Sequence, residues 1–375
     1  MKSTATVLGL FFVVISAVLL AQNQAPRLPP AAPNAPAPSV QAPADPGYAA
    51  LVAMCKTPPP APGARGGGGG GARAGGPPPA PQGEQPYEVK AIPGVIGDGQ
   101  KWKFIWQQAG NNGDGIVGTN DGGLMIAQND SSAVLKFDSA GKTSVAYSDT
   151  HTGGALSMTP KGALFIVERG LRQRVEQLAP QRRVHAEMFN GEPLDCIGGV
   201  INDITADSKG GVYFTMGGLF YADKTGKVTR YGEGLQTNGV ILSADEKTVY
   251  VTNGQFGAPT GAVAAFDVQP DGSLTNQREF VKLSAGGGDG STIDSQGRLY
   301  VTSRAGVEVF DKAGKALGVI PTPRGIISTA FGGKDKKTLY GLLRGGTDAN
   351  GNEVANVAQV WSIQMLAQGY KGRAK

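Results

Sequence analysis

The stretch Gly288-Asp-Gly-Ser-Thr-Ile-Asp-Ser-Gln-Gly-Arg-Leu-Tyr-Val301 decides the fold, because its pattern occurs six times along this chain of 375 residues. In each copy a polar or Gly-containing step opens an apolar stretch, and a second apolar strand follows eleven or twelve residues later. The opening residues are Asp114, Gly153, Asn202, Asn238, Asp289 and Ser328, and the second strands contain Met125, Phe165, Tyr213, Tyr250, Tyr300 and Tyr340. The second-strand residues are 40, 48, 37, 50 and 40 positions apart. A period of this length filled with short strands is typical of a propeller with one four-stranded blade per repeat, so we predict an all-β, six-bladed β-propeller.

Five similar turn sequences separate the strands. Each begins with Asp and has Gly at its fourth position, and they start at Asp138, Asp207, Asp223, Asp294 and Asp311. Gly adopts positive φ without steric cost and Asp hydrogen-bonds the turning backbone, so each sequence predicts a tight hairpin. A β-sandwich with regular turns is the alternative, but nothing in a sandwich requires the register to repeat.

Three segments of different composition flank the repeats. Lys2 precedes an uncharged apolar run over residues 7–20, which has the length of a secretory signal and is short for a bilayer span. We predict a signal peptide over residues 1–21, a secreted or periplasmic protein, and no transmembrane segment after cleavage. An uncleaved membrane anchor is the alternative.

Residues 22–86 are rich in Pro, Ala and Gly and poor in large apolar residues. Such a segment buries too little apolar surface to offset the entropy of ordering, so we predict a disordered tether, with a transient helix possible over residues 48–54. The propeller is then expected over residues 87–366 and a basic tail over residues 367–375. Residues 87–375 carry 30 basic and 28 acidic side chains without a basic stripe, which argues against nucleic-acid binding.

The two cysteines and two histidines leave alternatives open. Cys55 and Cys196 either pair in an exported protein or stay apart, since one of them lies in the predicted tether, and they lack the spacing of a CxxC zinc site. His185 is expected on the surface of an outer strand. His151 precedes the inner strand of the second blade and either lines the channel mouth, where it contacts substrate, or lies in a solvated loop.

The opening residues are the candidates for chemistry. The inner strands of a propeller run along its central channel, so residues at their starts converge on one circle. Asp114, Asn202, Asn238 and Asp289 bring oxygen donors to that circle, and oxygen donors are the ligands of Ca²⁺, Mg²⁺ or Mn²⁺. Taken singly, Asn-Asp, Asn-Gly and Asp-Gly are also common turn dipeptides.

Several stretches carry a resemblance to a known family. Residues 200–215, 237–252 and 288–301, followed by residues 306–311 and 317–323, resemble the family of senescence marker protein, gluconolactonase and luciferin-regenerating enzyme. The resemblance implies a six-bladed propeller that hydrolyses lactones or related esters with one divalent cation in its channel. It also implies that Asp114, in place of the family's Glu, binds the metal together with Asn238 and Asp289. Val200 stands where some members carry an Arg, so the resemblance does not extend to sugar-lactone specificity.

The resulting hypothesis is an exported, metal-dependent hydrolase of lactones or esters. Asp289 is the expected proton donor and acceptor, Asn202 and His151 are expected to contact substrate, and Asp203 is expected behind Asn202 as a supporting residue. Ca²⁺ is the first expectation for the metal, with Mg²⁺, Mn²⁺ or Zn²⁺ as alternatives. The partner is a small-molecule lactone or ester, and we expect a monomer. The alternative is a non-catalytic exported propeller that binds a partner or ligand through one face and holds a structural ion.

Closure of the ring is predicted from two further strands. Residues 101–108 and residues 359–364 are apolar enough to pair with each other in the last blade. Such pairing removes the open edges of the sheet.

Overall fold

The computed structural model describes residues 47–57, 83–109, 112–254, 259–348 and 350–375. The predicted signal peptide over residues 1–21 and most of the predicted tether lie outside the described residues. In the part of the chain that the structure describes, no helix has the length and apolar character needed to cross a bilayer.

Six four-stranded antiparallel sheets form the blades of a β-propeller. The first strand of the chain, β1 (Lys103–Ala109), belongs to the last blade. Blade 1 contains β2 (Gly113–Gly118), β3 (Leu124–Gln128), β4 (Ala133–Phe137) and β5 (Thr143–Tyr147). Blade 2 contains β6 (Gly153–Met158), β7 (Leu164–Glu168), β8 (Arg174–Ala179) and β9 (Arg183–Ala186). A hairpin of β10 (Met188–Phe189) and β11 (Glu192–Pro193) and a 3-10 turn (Leu194–Ile197) follow.

The remaining blades repeat this order. Blade 3 contains β12 (Ile204–Ala206), β13 (Val212–Thr215), β14 (Leu219–Ala222) and β15 (Val228–Tyr231). Blade 4 contains β16 (Thr237–Leu242), β17 (Thr248–Asn253), β18 (Gly261–Val268) and β19 (Leu274–Leu283). Blade 5 contains β20 (Ser291–Ile293), β21 (Leu299–Ser303), β22 (Gly306–Phe310) and β23 (Ala316–Ile320). Blade 6 contains β24 (Ile326–Gly332), β25 (Thr338–Thr347) and β26 (Glu353–Gln364), and β1 completes it.

The inner strands β2, β6, β12, β16, β20 and β24 contact one another in that order, and β24 contacts β2 again. The ring is therefore closed, as the repeat predicted. β1 pairs with β26, with Phe104 opposite Trp361, which confirms the predicted pairing of the early strand with the C-terminal one. We call the end of the propeller where the inner strands begin the upper face, and the opposite end the lower face.

The five Asp-initiated turns form the predicted hairpins. In each of them the Asp side chain accepts hydrogen bonds from the backbone N–H groups two and four residues later, as Asp138 does from Ala140 and Lys142 at 2.9 Å each. The Gly of each turn has positive φ, for example 84° at Gly141 and 76° at Gly297. These turns join strands at the lower face, so the upper face is formed by the opening residues and the other loops.

The core lies between the blades. Phe165 of blade 2 packs with Phe214 and Phe220 of blade 3 in one apolar cluster. Trp102 and Trp361 are fully buried where blade 6 meets the segment that precedes β1. The prediction that His185 lies on the surface of an outer strand is wrong. His185 is 6% exposed, and its ring meets the edge of Phe165 at 5.2 Å between centroids. The short outer strand β9 lies against blade 3, with His185 beside Gly226. The sequence of β9 alone does not indicate that His185 is buried by this neighbouring blade.

Part of the predicted tether is docked on the propeller. Residues 48–52 form a short helix, α1 (Tyr48–Val52), and Leu51 is 2% exposed. Cys55 forms a disulfide with Cys196, so the alternative in which the two cysteines pair is the correct one. Lys56 N–H donates to Glu192 at 2.6 Å beside the disulfide. The structure therefore fixes residues 47–57 to the chain before blade 3.

The basic tail also has a defined place. Residues 369–375 cross the lower face from blade 5 to blade 2. The N–H of Tyr370 donates to Ile293 at 3.3 Å, and Ala374 exchanges two backbone hydrogen bonds with Met158 at 3.0 and 3.1 Å. Ile293 and Met158 are the last residues of two inner strands, so the tail covers the lower end of the channel.

Candidate active site in the central channel

The glycines that follow the opening residues let the inner strands approach closely around the channel. A Cβ on Gly239 would lie 1.9 Å from the carbonyl oxygen of Asp289, and one on Gly115 would lie 2.6 Å from the Cα of Ala155. A Cβ on Gly290 would lie 2.3 Å from the Ser328 hydroxyl. Each contact joins one blade to the next, so these glycines are required by close approach rather than by turn geometry.

Threonines at the upper ends of the second strands fix the same segments. Thr215 of blade 3 donates its hydroxyl to the carbonyl of Asn238 in blade 4. Thr252 accepts the N–H of Gly239 at 2.7 Å. The Thr302 hydroxyl lies 2.9 Å from both Gly290 O and Ile327 O and can donate to either of them. All three threonines are buried, so hydrogen bonds hold the backbone beside the candidate ligands in one conformation.

Asp114 is paired with Arg169, a residue that the sequence analysis did not single out. The Arg169 guanidinium forms a salt bridge with the Asp114 carboxylate, and the two side chains are 6% and 13% exposed. The same guanidinium donates to the carbonyls of Ile201 and Asn202, at 2.9 Å each, and to the Asn129 side chain at 3.2 Å. Arg169 therefore links the upper ends of blades 1, 2 and 3 across the channel.

Asp203 links blades 3 and 4. One carboxylate oxygen accepts the N–H of Val240 at 2.7 Å. The other accepts the N–H of Ile204 at 2.8 Å and the ammonium group of Lys375. Asp203 is 5% exposed. Its carboxylate thus holds the strand that carries Asn238, two residues before Val240, and receives a cation from the tail.

Asp289 lies among these charges. The pKa of its carboxyl is raised to about 8, first because the carboxyl is removed from bulk water and then because the negative charges of Asp114 and Asp203 are near it. Arg344 and Arg169 lower the pKa of Asp289 and only partly offset those effects. Three carboxyl groups from blades 1, 3 and 5 therefore share one electrostatic environment, although they are far apart in sequence.

The donors present suit a divalent cation. The side chain of Asn238 is buried, and its Oδ1 atom has no hydrogen-bond partner among the described residues. A buried amide oxygen without a partner is costly, and a cation would satisfy it. Two carboxylates and one amide oxygen, from Asp114, Asp289 and Asn238, are the hard donors that Ca²⁺, Mg²⁺ or Mn²⁺ prefers. In the structure Arg169 supplies the positive charge beside Asp114.

His151 and Asn202 stand at the upper ends of blades 2 and 3. His151 Nδ1 lies 3.2 Å from Glu168 and 3.2 Å from Arg174, and its side chain is 54% exposed. The carbonyl of His151 accepts the N–H of Arg169 at 3.1 Å, so its backbone positions the residue that enters the channel. The structure thus places the imidazole against Glu168 and Arg174 at the top of blade 2. Asn202 is 2% exposed and its carbonyl accepts Arg169.

Comparisons with known proteins identify the family and the fold of the chain. A family model described as the SMP-30/gluconolactonase/LRE-like region matches residues 144–341, which is more than half of the chain. The chain belongs to the SMP-30/gluconolactonase/LRE-like family. The matched span contains Asn202, Asn238 and Asp289, whereas Asp114 precedes it.

Several known proteins are similar to the chain over part of its length. The gluconolactonase of Zymomonas mobilis subsp. mobilis is 26% identical over 215 residues, which cover 49% of this chain and 59% of the relative. The chain therefore spans less than two thirds of that relative. A solved gluconolactonase from Xanthomonas campestris aligns with a TM-score of 0.62 and 21% identity, over 77% of this chain and 97% of the other. A calcium-binding regucalcin from Agrobacterium tumefaciens aligns with a TM-score of 0.52 and 18% identity, over 69% of this chain and 93% of the other. At these identities the two structures establish the shared propeller fold.

Sequence reasoning missed the basic residues of this family member's channel, although the repeat contained a signal for two of them. Arg169 and Arg344 each stand four positions after the aromatic residue of the second strand, Phe165 and Tyr340. That register places them at the upper end of the strand, beside the opening residue of a neighbouring repeat. Lys375 had no such signal, because it reaches the channel from outside the repeats.

Proposed function

We propose that this protein is an exported, metal-dependent hydrolase of lactones or related esters. Its substrate site is the upper end of the channel, and one divalent cation binds there, with Ca²⁺ as the first candidate. The observation that supports the proposal most directly is the buried Asn238 Oδ1 beside the Asp289 segment, which has no hydrogen-bond partner in the described part of the chain. The chain also belongs to a family that includes gluconolactonases.

The chain's own residues supply binding and proton transfer. Asp114, Asn238 and Asp289 would hold the cation, and a cation bound there would supply polarisation of the ester carbonyl and stabilisation of negative charge on its oxygen. Asp289 takes a proton from the attacking water as the water oxygen bonds to the carbonyl carbon. The same proton passes to the alkoxide oxygen when the ring C–O bond breaks, so Asp289 ends in its starting state. Asn202 and His151 orient the substrate at the upper edge, and Asp203 holds the strand of Asn238.

The test is hydrolysis of a panel of γ- and δ-lactones by the full protein, before and after removal of metal by a chelator. We expect turnover that the chelator abolishes and that added Ca²⁺, Mg²⁺, Mn²⁺ or Zn²⁺ restores. Asp289→Asn removes a ligand and the proton acceptor together, so activity should fall by about a thousandfold or more, since base catalysis and metal chemistry each contribute at least about a hundredfold. Asp271→Asn, an exposed carboxylate in a lower-face turn, is the matched control and should retain activity.

A second candidate function is a binding propeller without catalysis. The pairing of Asp114 with Arg169 favours it, because one candidate ligand already has a cation. Under this alternative the protein binds an ion or ligand and turns over none of the lactones, and Asp289→Asn changes binding without any activity to lose. Absence of turnover across the panel at every metal tested would select this second function.

Export is supported by two features. The apolar run over residues 7–20 has the character of a signal, and the Cys55–Cys196 disulfide suits an oxidising compartment. Mass spectrometry of the protein from extracellular or periplasmic fractions should find a mature N-terminus after residue 21. Full-length protein with free thiols in the cytosol would contradict export.

A further inference from the structure

We propose that Lys375 is a resident cation of the channel, which neutralises Asp203 from the lower side and thereby limits how tightly the channel binds a divalent cation. The inference concerns the ion of the proposed function and rests on that proposal for the identity of the competing cation. Lys375 would be a positioning and affinity-setting residue rather than one that touches substrate.

The path of the tail brings Lys375 to this place. The Arg373 guanidinium donates to the carbonyl of Leu242, the last residue of the inner strand of blade 4, and lies 3.6 Å from Glu246. Ala374 pairs with Met158 at the end of the inner strand of blade 2. Arg373 is 4% exposed and Ala374 is 6% exposed. These contacts anchor the tail on two blades immediately before Lys375. They therefore constrain where the Lys375 side chain can lie.

The Lys375 ammonium is bound inside the fold. Its Nζ donates to the Asp203 carboxylate, to the carbonyl of Ile204 at 3.3 Å and to the carbonyl of Val240 at 3.2 Å. The side chains of Lys375 and Asp203 are 2% and 6% exposed. An ammonium group has three donors, and these three acceptors match them. A buried charge is tolerated only with such partners, so this is a built cation site.

The channel holds charged side chains of both signs. Asp114 and Asp203, together with Asp289 when it is ionised, supply negative charge, and Arg169, Arg344 and Lys375 supply three cations. A divalent cation in this environment is attracted by the carboxylates and repelled by the three positively charged side chains. Because Coulomb interactions are strong in a poorly solvated channel, the Lys375 charge should weaken binding of the ion.

The test compares Ca²⁺ and Mn²⁺ binding by isothermal titration calorimetry for the full protein and for Lys375→Met. We expect the variant to bind the divalent cation about tenfold or more tightly, as removal of one nearby positive charge predicts. A structural role alone would loosen binding or leave it unchanged. Lys371→Met is the matched control, because Lys371 is an exposed lysine of the same tail. The affinity of this variant for Ca²⁺ and Mn²⁺ should equal that of the unmodified protein.

A second pair of variants keeps the test decisive if Lys375→Met does not fold. Asp203→Asn removes the carboxylate that Lys375 neutralises, and Asp203→Asn/Lys375→Met then removes the ammonium without leaving an unpaired buried charge. The double variant should bind the divalent cation about tenfold or more tightly than Asp203→Asn. Equal affinities within this pair would overturn the proposal.

The outcome also separates this inference from the proposed function. If the unmodified protein binds no divalent cation but Lys375→Met does, the resident-cation proposal stands and the metal-dependent function fails. If both bind with the same affinity, or neither binds, Lys375 does not limit the site and the proposal is wrong.

Discussion

In the channel, pairing between oppositely charged side chains competes with binding of a cation to the same carboxylates. Asp114 is the clearest case, because the position that the family resemblance assigns to a metal ligand is paired with Arg169. The guanidinium also holds the carbonyls of Ile201 and Asn202. Metal binding at Asp114 therefore requires Arg169 to share or release that carboxylate.

Arg169→Gln tests this competition. Asp114 loses its positive neighbour, so Mn²⁺ affinity measured by electron paramagnetic resonance should rise by about tenfold. The free energy of unfolding should fall by about 1–3 kcal/mol, because buried carbonyls lose their donor. Arg172→Gln, an exposed arginine three residues later, should change neither quantity. Unchanged or weaker Mn²⁺ binding in Arg169→Gln would show that Asp114 does not take part in binding.

Glu168 provides a prediction on pH. Its pKa is raised to about 8, mainly because of burial and then because of the neighbouring Glu176, while Arg174 acts in the opposite direction. An acid with a raised pKa in the folded state binds its proton more tightly there than in the unfolded chain. Its contribution to stability is therefore complete below the unfolded value near 4.5 and is lost as the pH rises through about 8.

Glu168→Gln keeps a neutral side chain at every pH. The Tm of this variant relative to the unmodified protein should rise by about 3 °C or more between about pH 6 and about pH 9, measured by calorimetry. Glu279→Gln, at an exposed position, should show a constant difference. A constant difference for Glu168→Gln as well would mean that the arginines keep Glu168 ionised throughout.

At the scale of elements, the channel depends on how closely neighbouring inner strands approach. Gly239 leaves room for the carbonyl of Asp289, and Thr252 and Thr302 bond the backbone on either side of that contact. The glycines of the Asn-Gly and Asp-Gly steps are therefore required because neighbouring inner strands approach closely there. The glycines of the Asp-initiated turns at the lower face are required because the backbone adopts positive φ. The same residue type serves two different purposes within one repeat.

Gly239→Ala should destabilise the propeller by about 3 kcal/mol, because its Cβ would overlap the Asp289 carbonyl and the backbone would have to shift. Urea unfolding checks the loss. Gly325→Ala is the matched control, since no atom lies within 4 Å of the added Cβ and its φ is not in the left-handed region. Its stability should stay the same or rise by about 0.4–1 kcal/mol. Equal stability of the two variants would contradict the close approach.

At the scale of the whole molecule, segments outside the repeats complete the propeller. β1 closes blade 6, the tail covers the lower end of the channel, and residues 47–57 are fixed by the disulfide. Cys55 and Cys196 are 141 residues apart in sequence, so their bond constrains a long stretch of the unfolded chain.

Cys55→Ser/Cys196→Ser should lower the free energy of unfolding by about 2–4 kcal/mol, as expected for a bond that closes a long loop. Urea unfolding of the oxidised protein, with and without a reductant, should give the same difference. The double variant itself should be insensitive to the reductant. Equal stability of the oxidised and reduced proteins would show that the disulfide does not stabilise the fold.

The sequence by itself determined the six blades, the hairpin turns and the ring of opening residues, because each follows from a local pattern repeated in register. It also pointed to the pairing of β1 with the C-terminal strand, since two unpaired apolar strands remained. Only the tertiary structure decided that Arg169 and Lys375 enter the channel and that His185 is buried. Those placements depend on contacts between residues far apart in the chain, such as Lys375 with Asp203, and such contacts exist only once the ring has closed.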